Sequence, residues 1–292
     1  MRLGLAIADF TVPGGAHAIG VTLRAVAAEA EAAGFSRIAV MDHLWQVPTV
    51  SPVEREMLEA YTTLGYLAAA TTRVELLTLV TSATYREPGL LAKMVTTLDV
   101  LSGGRAWLGI GAGAGFNAGE AHGLGLPHPP TAERFERLEE ALRICLQMWI
   151  GTDASYAGKH YRLDRTLNSP PALRRPHPPI LIGGSGPDKT LRLVAEYADA
   201  CNLFAAPDLP QKLDALRARC AEVGRDYDSI EKTLLYPLDP GDGGANVSTL
   251  ISRLHRFAEL GIDSVYGPVP HADQLTPLRL LGRLVIPAVA GI

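Results

Sequence analysis

Cysteine, long apolar runs and an excess of basic charge are all scarce in this 292-residue sequence. The three cysteines, Cys145, Cys201 and Cys220, are far apart and form no CxxC pair, which argues against a disulfide framework or a zinc site and fits a reducing cytoplasm. A net charge of −4 argues against a nucleic-acid partner. No apolar run approaches the roughly 20 residues that span a bilayer, and MRLGLAIADF is too short for a signal peptide. We therefore expect a cytoplasmic protein with neither a membrane nor a nucleic-acid partner.

Several catalytic patterns are also missing. There is no GxSxG nucleophile elbow. The glycines of GIGAGAGFN at 109–117 do not fit GxGxxG, because the third glycine would fall on Ala114. His122 and His128 have no carboxylate or cysteine partner at metal-ligand spacing, so we predict no metal site.

Short apolar runs alternate with segments of helical spacing along the chain. We predict strands at Leu3–Ala8, Ser36–Met41, Val74–Thr81, Arg105–Gly111, Pro179–Ile182, Ala200–Phe204, Ile230–Tyr236 and Asp263–Tyr266. We predict helices at Val21–Ala33, Leu90–Leu101, Ala132–Trp149, Lys189–Tyr197, Leu209–Val223 and Thr249–Leu260. This order indicates an α/β fold, a single parallel (β/α)8 TIM barrel over residues 1–292. The alternative, an open doubly wound sheet, lacks its glycine fingerprint in the first turn, ADFTVPGGAH.

Residues 151–178 interrupt this alternation as an insertion between helix 4 and strand 5 of the barrel. The segment YAGKHYRL within it is suited to a short hairpin. The insertion is basic, with Lys159, His160, Arg162, Arg165, Arg174 and Arg175. A solvated loop is the ordinary interpretation of such a segment, and a clamp for an anionic cofactor tail is the alternative.

Polar residues that follow the strands are candidates for the active site, because the C-terminal strand ends form the mouth of a barrel. Asp9 follows the first strand and Asp42-His43 the second, with Trp45 two residues beyond as an apolar wall. Histidine exchanges protons near neutral pH, and an adjacent carboxylate can orient it. A histidine bonded only to backbone is the alternative. Thr81 and Asn202 are further mouth candidates.

The segment PPILIGGSGP is a candidate phosphate site. A predicted strand runs into Gly183, Gly184, Ser185 and Gly186, and a helix is predicted to begin near Pro187. Amide groups at the start of a helix bind anions, and glycines let a phosphate come close. A simple strand-to-helix turn is the alternative.

These stretches together resemble the bacterial luciferase-like superfamily, and more closely its branch that uses the deazaflavin coenzyme F420. The resemblance covers most of Ala27–Asn202 and is most specific in Val80–Gly113 and in the GGSGP loop. It implies a (β/α)8 barrel with a cofactor across its mouth and a non-proline cis peptide at Leu79–Val80, followed by Thr81. It also implies that His43, next to Asp42, acts as acid or base, that Trp45 lines the pocket, and that Asn117 and the loop 183–186 contact the cofactor.

The sequence departs from the family after GxG, where Ala114 follows Gly113 and replaces the usual Trp or Glu. This departure argues against a sugar-phosphate dehydrogenase. We therefore expect an F420-dependent oxidoreductase that acts on a small alcohol, enone or imine. A monooxygenase using reduced FMN is the first alternative, and a non-catalytic flavin-binding barrel is the second.

The resemblance also implies a homodimer that packs through helices near the second and third strands. Met57, Leu58, Tyr61, Leu64 and Leu67 could form that face, or they could belong to the core.

Overall fold

Eight parallel strand positions form a ring in the computed structural model, which describes residues 1–115 and 118–292. The strands in chain order are β1 (Arg2–Ile7), β2 (Arg37–Val40), β3 (Glu75–Thr78), β4 (Thr81–Ser82), β5 (Leu108–Gly111), β6 (Tyr156–Ala157), β7 (Arg162–Leu163), β8 (Ile180–Gly183), β9 (Ala200–Phe204), β10 (Glu231–Leu235) and β11 (Ser264–Gly267). The third position holds both β3 and β4. The ring closes because β4 pairs with β5, and Leu76 of β3 bridges Ala106 just before β5. The predicted TIM barrel is confirmed.

Helices connect the strands and cover the outside of the ring. They are α1 (Ala16–Ala33), α2 (Ala60–Ala70), α3 (Pro88–Ser102), α4 (Ala118–Gly123), α5 (Thr131–Trp149), α6 (Thr190–Tyr197), α7 (Leu209–Val223), α8 (Val247–Glu259), α9 (Thr276–Leu280) and α10 (Ile286–Val289). Gly34 and Gly103 end α1 and α3 in the left-handed conformation that glycine adopts without steric cost. In the described ranges, no helix has both the length and the apolar character needed to cross a bilayer.

The insertion contains the predicted hairpin. Strands β6 and β7 pair antiparallel, with Tyr156 opposite Leu163. The carboxylate of Glu140 on α5 holds the hairpin turn, accepting hydrogen bonds from the amides of Lys159 and His160 at 2.8 and 3.1 Å. The insertion is therefore fastened to the helix that precedes it.

The core has two layers, as the period-two alternation of a barrel strand requires. Inside the ring lie Ala39, Leu77, Trp107, Leu181, Ala200 and Tyr266. The residues between them on the same strands, such as Ile38, Leu76 and Ile182, face the helices in a larger apolar layer. Both strand faces are buried, which explains the near-continuous apolar runs in the sequence.

Of the five residues predicted to form either a dimer face or part of the core, three lie on α2 and are packed in the core. Tyr61 is 7% exposed, and Leu64 and Leu67 are fully buried. Their apolar surface is covered by the protein's own chain, so it is not available to a second copy. A homodimer stays a prediction, without these residues as its surface.

Candidate active site

Arg86 joins the ends of the second and third strand positions at the mouth of the barrel. Its guanidinium binds the buried carboxylate of Asp42 through two hydrogen bonds of 2.6 and 3.0 Å. It also donates to Thr81 Oγ1 at 3.0 Å and to Glu59, whose carboxylate caps the start of α2. The ring of Tyr61 lies 4.7 Å from the guanidinium carbon. Asp42 and Thr81 therefore act here as fixed partners of one arginine.

His43 takes its carboxylate partner from far along the chain. Its Nδ1 lies 2.7 Å from Oε2 of Glu120, on α4. A carboxylate can only accept, so Nδ1 carries the proton of this bond. The expectation that Asp42 orients His43 is wrong, because the carboxylate of Asp42 is engaged by Arg86.

Glu120 is the centre of this cluster. Its Oε2 accepts from the Tyr85 hydroxyl at 2.6 Å, and its Oε1 accepts from the amides of Leu44 and Trp45, the latter at 3.0 Å. Burial alone would raise the pKa of this carboxyl. The hydrogen bonds from His43, Tyr85 and the two amides outweigh burial and lower the pKa to about 2. Glu120 is therefore ionised at neutral pH and fixes both the imidazole and the backbone that follows it.

Trp45 lies against α4. A Cβ at Gly123 would collide with the indole ring, so this approach of helix and ring requires glycine. The Trp45 side chain is 39% exposed, which leaves part of the ring at the rim of the mouth. Trp45 stays a candidate for the pocket wall.

The Leu79–Val80 peptide is cis, as the resemblance predicts. The Val80 side chain packs into the space that two glycines leave open. A Cβ at Gly183 would lie 2.9 Å from both Val80 methyls, and one at Gly111 would lie 3.1 Å from one of them. Because β5 and β8 are paired neighbours, the two glycine-rich turns meet beside Val80. The sequence indicated two separate loops, and the fold makes them one surface.

A buried arginine lies behind this surface. At Gly113, where φ is +76°, a Cβ would lie 2.6 Å from Ser82 Oγ and 3.7 Å from Nη1 of Arg134. Arg134 is 5% exposed and donates from Nη2 to Thr131 Oγ1 at 2.9 Å. Within the described part of the chain, its Nε and Nη1 have no hydrogen-bond acceptor. Buried donors without acceptors are costly, and an anionic group nearby would satisfy them.

The GGSG turn stays a predicted phosphate site, and its glycines lie close to Thr190 at the start of α6. Gly184 has φ +117°, and Cβ atoms at Gly184 and Gly186 would each lie 3.3 Å from the Thr190 side chain. The helix starts later than predicted, since 187–189 form a turn and α6 begins at Thr190. The side chain of Asn202, another mouth candidate, instead donates to Thr233 Oγ1 at 2.9 Å inside the barrel.

A cavity of about 530 Å³ opens around the end of β1. Ala39, Met41, Leu79 and Leu235 form its wall on the barrel side, and Asp9 lies at its rim. The chain from Pro268 to Asp273 lines it as well. Asp9, a pocket residue predicted from the sequence, lines this cavity.

The basic insertion follows the ordinary interpretation of a solvated, internally paired loop rather than a cofactor clamp. Lys159 and His160 pair with Glu136 at 2.7 Å, and Arg165 pairs with Asp153 at 2.6 Å. Arg174 donates to Glu75 at 2.9 Å. These side chains already have carboxylate partners, so they give no support to an anionic cofactor tail.

Sequence reasoning missed Glu120, Tyr85, Arg86 and Arg134. Glu120 lies in FNAGEAHGLG, and Tyr85 and Arg86 lie in Val80–Gly113, so the resemblance covered them without singling them out. Asn117, a predicted cofactor contact, lies outside the described residues. No cluster of three or more His, Cys, Asp or Glu suited to a metal occurs in 1–115 and 118–292.

Comparison with known proteins extends these observations. A family model described as luciferase-like monooxygenase matches residues 5–245. An F420-dependent glucose-6-phosphate dehydrogenase of Microbacterium testaceum (strain StLB037) is 34% identical over 215 residues, 69% of this chain and 59% of that protein. The protein of the same name from Kineococcus radiotolerans is 33% identical over 272 residues, 90% of this chain and 76% of that protein. The match thus spans about three fifths of the first relative's length.

A solved structure also shares the fold. An F420-dependent secondary alcohol dehydrogenase, in complex with an F420–acetone adduct, superposes with a TM-score of 0.80. The match covers 99% of this chain and 98% of that one at 20% identity. At this identity the likeness concerns the fold alone.

Proposed function

Because the chain belongs to the luciferase-like monooxygenase family, we propose that it is an oxidoreductase using coenzyme F420. The reaction passes a hydride between this deazaflavin and a small alcohol, enone or imine. One observation carries the proposal: His43, held by Glu120, lies just beyond the end of β2 at the barrel mouth. Such a reaction needs a group that moves one proton. Relatives that are 33–34% identical and named for F420 support the choice of cofactor.

The residues at the mouth fit an anionic, planar cofactor. The turn of Leu79 and Val80 would lie behind the ring. Backbone amides of Ser185 and Gly186, ahead of α6, would hold its phosphate. The unmatched donors of Arg134, beside Gly113, suit a negative group of the same molecule. Thr81, Ala114 and Asn117 are further proposed contacts of the cofactor.

The chain's own residues handle the proton while the bound deazaflavin supplies two-electron hydride chemistry. For an alcohol, the imidazole of His43 takes the hydroxyl proton as the carbon loses its hydride, which leaves a carbonyl product. For an enone or imine, the same ring donates a proton. Since Nδ1 is bound to Glu120, Nε2 is the ring atom assigned to this exchange.

Binding of cofactors to the apoprotein tests the proposal. We expect tight binding of oxidised F420 and weak binding of FMN, followed by ring fluorescence and absorbance. Preference for reduced FMN with oxygen uptake would move the protein to the monooxygenases. Tight F420 binding without turnover on a broad panel would indicate a non-catalytic binding barrel, and binding of neither cofactor would overturn the proposal.

The variant Arg134→Met sharpens this titration. Losing charge-assisted hydrogen bonds to an anion should weaken F420 binding about 10-fold or more. The apoprotein should be no less stable, because the change removes a buried charge whose Nε and Nη1 have no acceptor among the described residues. Arg137→Met is the matched control, since Arg137 lies on the same helix and pairs with Glu133 at 2.7 Å. Equal F420 affinity in both variants would exclude Arg134 from the site.

A further inference from the structure

The walls of the cavity around the end of β1 limit what the enzyme can accept. The barrel-side wall consists of Ala39, Met41, Leu79 and Leu235, which offer only hydrocarbon and thioether surface. Leu79 belongs to the turn proposed to back the cofactor ring, so a molecule against this wall would lie beside the ring. A cavity of about 530 Å³ is within the range of sites for small organic ligands.

The charge of the cavity is negative. Among the described residues that line it, none is lysine or arginine, and two are carboxylates, Asp9 and Asp273. A third carboxylate, Glu56, binds the lining residue Thr11 at 2.8 Å. His271, at the exposed rim, is the only imidazole in the described lining.

A phosphorylated substrate would be disfavoured here for two reasons. Its dianion would leave water for an apolar wall without a cation to replace the lost hydration. It would also approach carboxylates of its own sign. An uncharged molecule with an apolar body meets neither cost and gains from covering the wall.

We infer that the substrate is uncharged and largely apolar, and that glucose 6-phosphate and other phosphorylated sugars are not accepted. This inference rests on the proposed F420 chemistry. With F420 bound as the two-electron acceptor, His43 would take the O–H proton of a neutral secondary alcohol as its carbon loses a hydride, and the product would be a ketone. The relatives named for glucose 6-phosphate therefore differ from this chain in substrate, while the cofactor is the same.

The test is carried out on F420-loaded protein, after cofactor binding has been measured by itself. Turnover is compared for glucose 6-phosphate, glucose and a series of 2-alkanols of rising length. Each added methylene that reaches the wall should raise kcat/KM by up to about fourfold. Calorimetric titration of the loaded protein with the same compounds gives a readout independent of turnover.

The outcomes separate the inference from the proposed function. Failure of F420 to bind overturns the proposed function. If F420 binds, then turnover of glucose 6-phosphate within tenfold of the best alkanol, or no saturable binding of any alkanol, overturns the inference. Selective binding of alkanols supports it.

A charge variant tests the electrostatic part. Asp9→Asn keeps an acceptor for the Thr11 amide, now bound at 2.8 Å, and removes one charge from the rim. It should raise kcat/KM for a hydroxy acid, relative to its neutral ester, by roughly 2- to 10-fold. Asp214→Asn, at an exposed site on α7, should leave this ratio unchanged. An equal ratio in both variants would contradict a role for the Asp9 charge.

Discussion

The carboxylate of Glu120 accepts four hydrogen bonds at the mouth of the barrel. The carboxylate accepts from the imidazole of His43, from the amides of Leu44 and Trp45 in the same loop, and from the phenol of Tyr85 in a second loop. Since its pKa is lowered to about 2, it remains an acceptor across the physiological range. It therefore sets the tautomer of His43 and the path of the chain toward Trp45 in one step, which makes it a positioning residue for the proposed proton transfer.

Replacing Glu120 tests whether it acts through His43. Glu120→Gln keeps the size of the side chain but removes the charge, and we expect kcat to fall about 10- to 100-fold. His43→Ala should reduce turnover by roughly 100-fold or more while cofactor affinity is kept. If Glu120 acts by positioning His43, the double variant is no slower than His43→Ala. Multiplied losses in the double variant would refute this role.

The same variant has a signature in stability against pH. The folded pKa of Glu120 lies below its usual value of 4.5, so its ionised form stabilises the fold above pH 4.5. That contribution is lost as pH falls from there toward about 2. Urea unfolding of wild type and Glu120→Gln should therefore converge over this range. Curves that stay parallel would show that the carboxylate charge does not stabilise the fold.

Residue-scale prediction from sequence succeeded for His43 at the mouth and failed for its partner. Asp42 and His43 are adjacent, and adjacent residues of an extended segment point to opposite sides, so proximity in sequence misleads. The actual partner is 77 positions away. Only the closed barrel, which brings α4 over the end of β2, makes that pair, and no local pattern encodes it.

At the scale of elements, the glycine turns after β5 and β8 work as one unit. The sequence predicted both strands to within about three residues, because buried parallel strands have a strong apolar pattern. It did not predict that Val80, from the third strand position, fills the gap between them. Such a contact depends on register, which apolar runs alone do not specify.

Gly183→Ala tests that unit. A methyl 2.9 Å from both Val80 methyls forces this side chain, and the turn that it belongs to, to shift. We expect F420 affinity to fall about 10-fold, with a stability loss of about 1–3 kcal/mol from overpacking. The measurements are cofactor titration and urea unfolding.

The control for this variant is Gly65→Ala on α2. A Cβ there meets nothing within 4 Å, so the change should stabilise the helix by about 0.5–1 kcal/mol and leave cofactor binding alone. If Gly183→Ala binds F420 as tightly as this control, then the packing of Val80 against β8 does not shape the site.

At the scale of the whole molecule, the order of elements was predictable because strand and helix patterns alternate so regularly. The closing of the ring was an inference from their number. The sequence did not predict the cluster of charged residues at the other end of the ring, since a single arginine in an apolar strand gives no local signal. Arg37, Glu75 and Glu231 are each the first residue of their strand, so their charges meet at the end opposite the active site.

Arg37 is the centre of this charged cluster. It is 2% exposed, stacks on Trp107 with 4.1 Å between guanidinium carbon and ring, and donates to the Tyr266 hydroxyl at 2.8 Å. It pairs with Glu75 at 2.8 Å and with both oxygens of Glu231 at 2.7 and 2.9 Å. Burial would raise the pKa of Glu231, but the hydrogen bonds and charge of Arg37 lower it. The end of the barrel opposite the active site is thus stabilised by a network of buried ion pairs.

Removing Arg37 should therefore cost far more than removing a surface arginine. Arg37→Met removes the buried cation that Glu75 and Glu231 share and leaves them only the more exposed Arg174 and Arg2, which should cost about 3–5 kcal/mol in urea unfolding. Arg279→Met is the matched control, because Arg279 pairs with Glu29 at 2.8 Å but is 60% exposed, and it should cost about 0–1 kcal/mol. Adding Glu231→Gln to Arg37→Met should restore part of the loss, since one of the two carboxylates that lost the buried cation is then neutral. F420 affinity of folded Arg37→Met should match that of the wild type, because the charged cluster and the mouth lie at opposite ends of the strands. Equal losses in Arg37→Met and Arg279→Met would show that the barrel does not depend on this network.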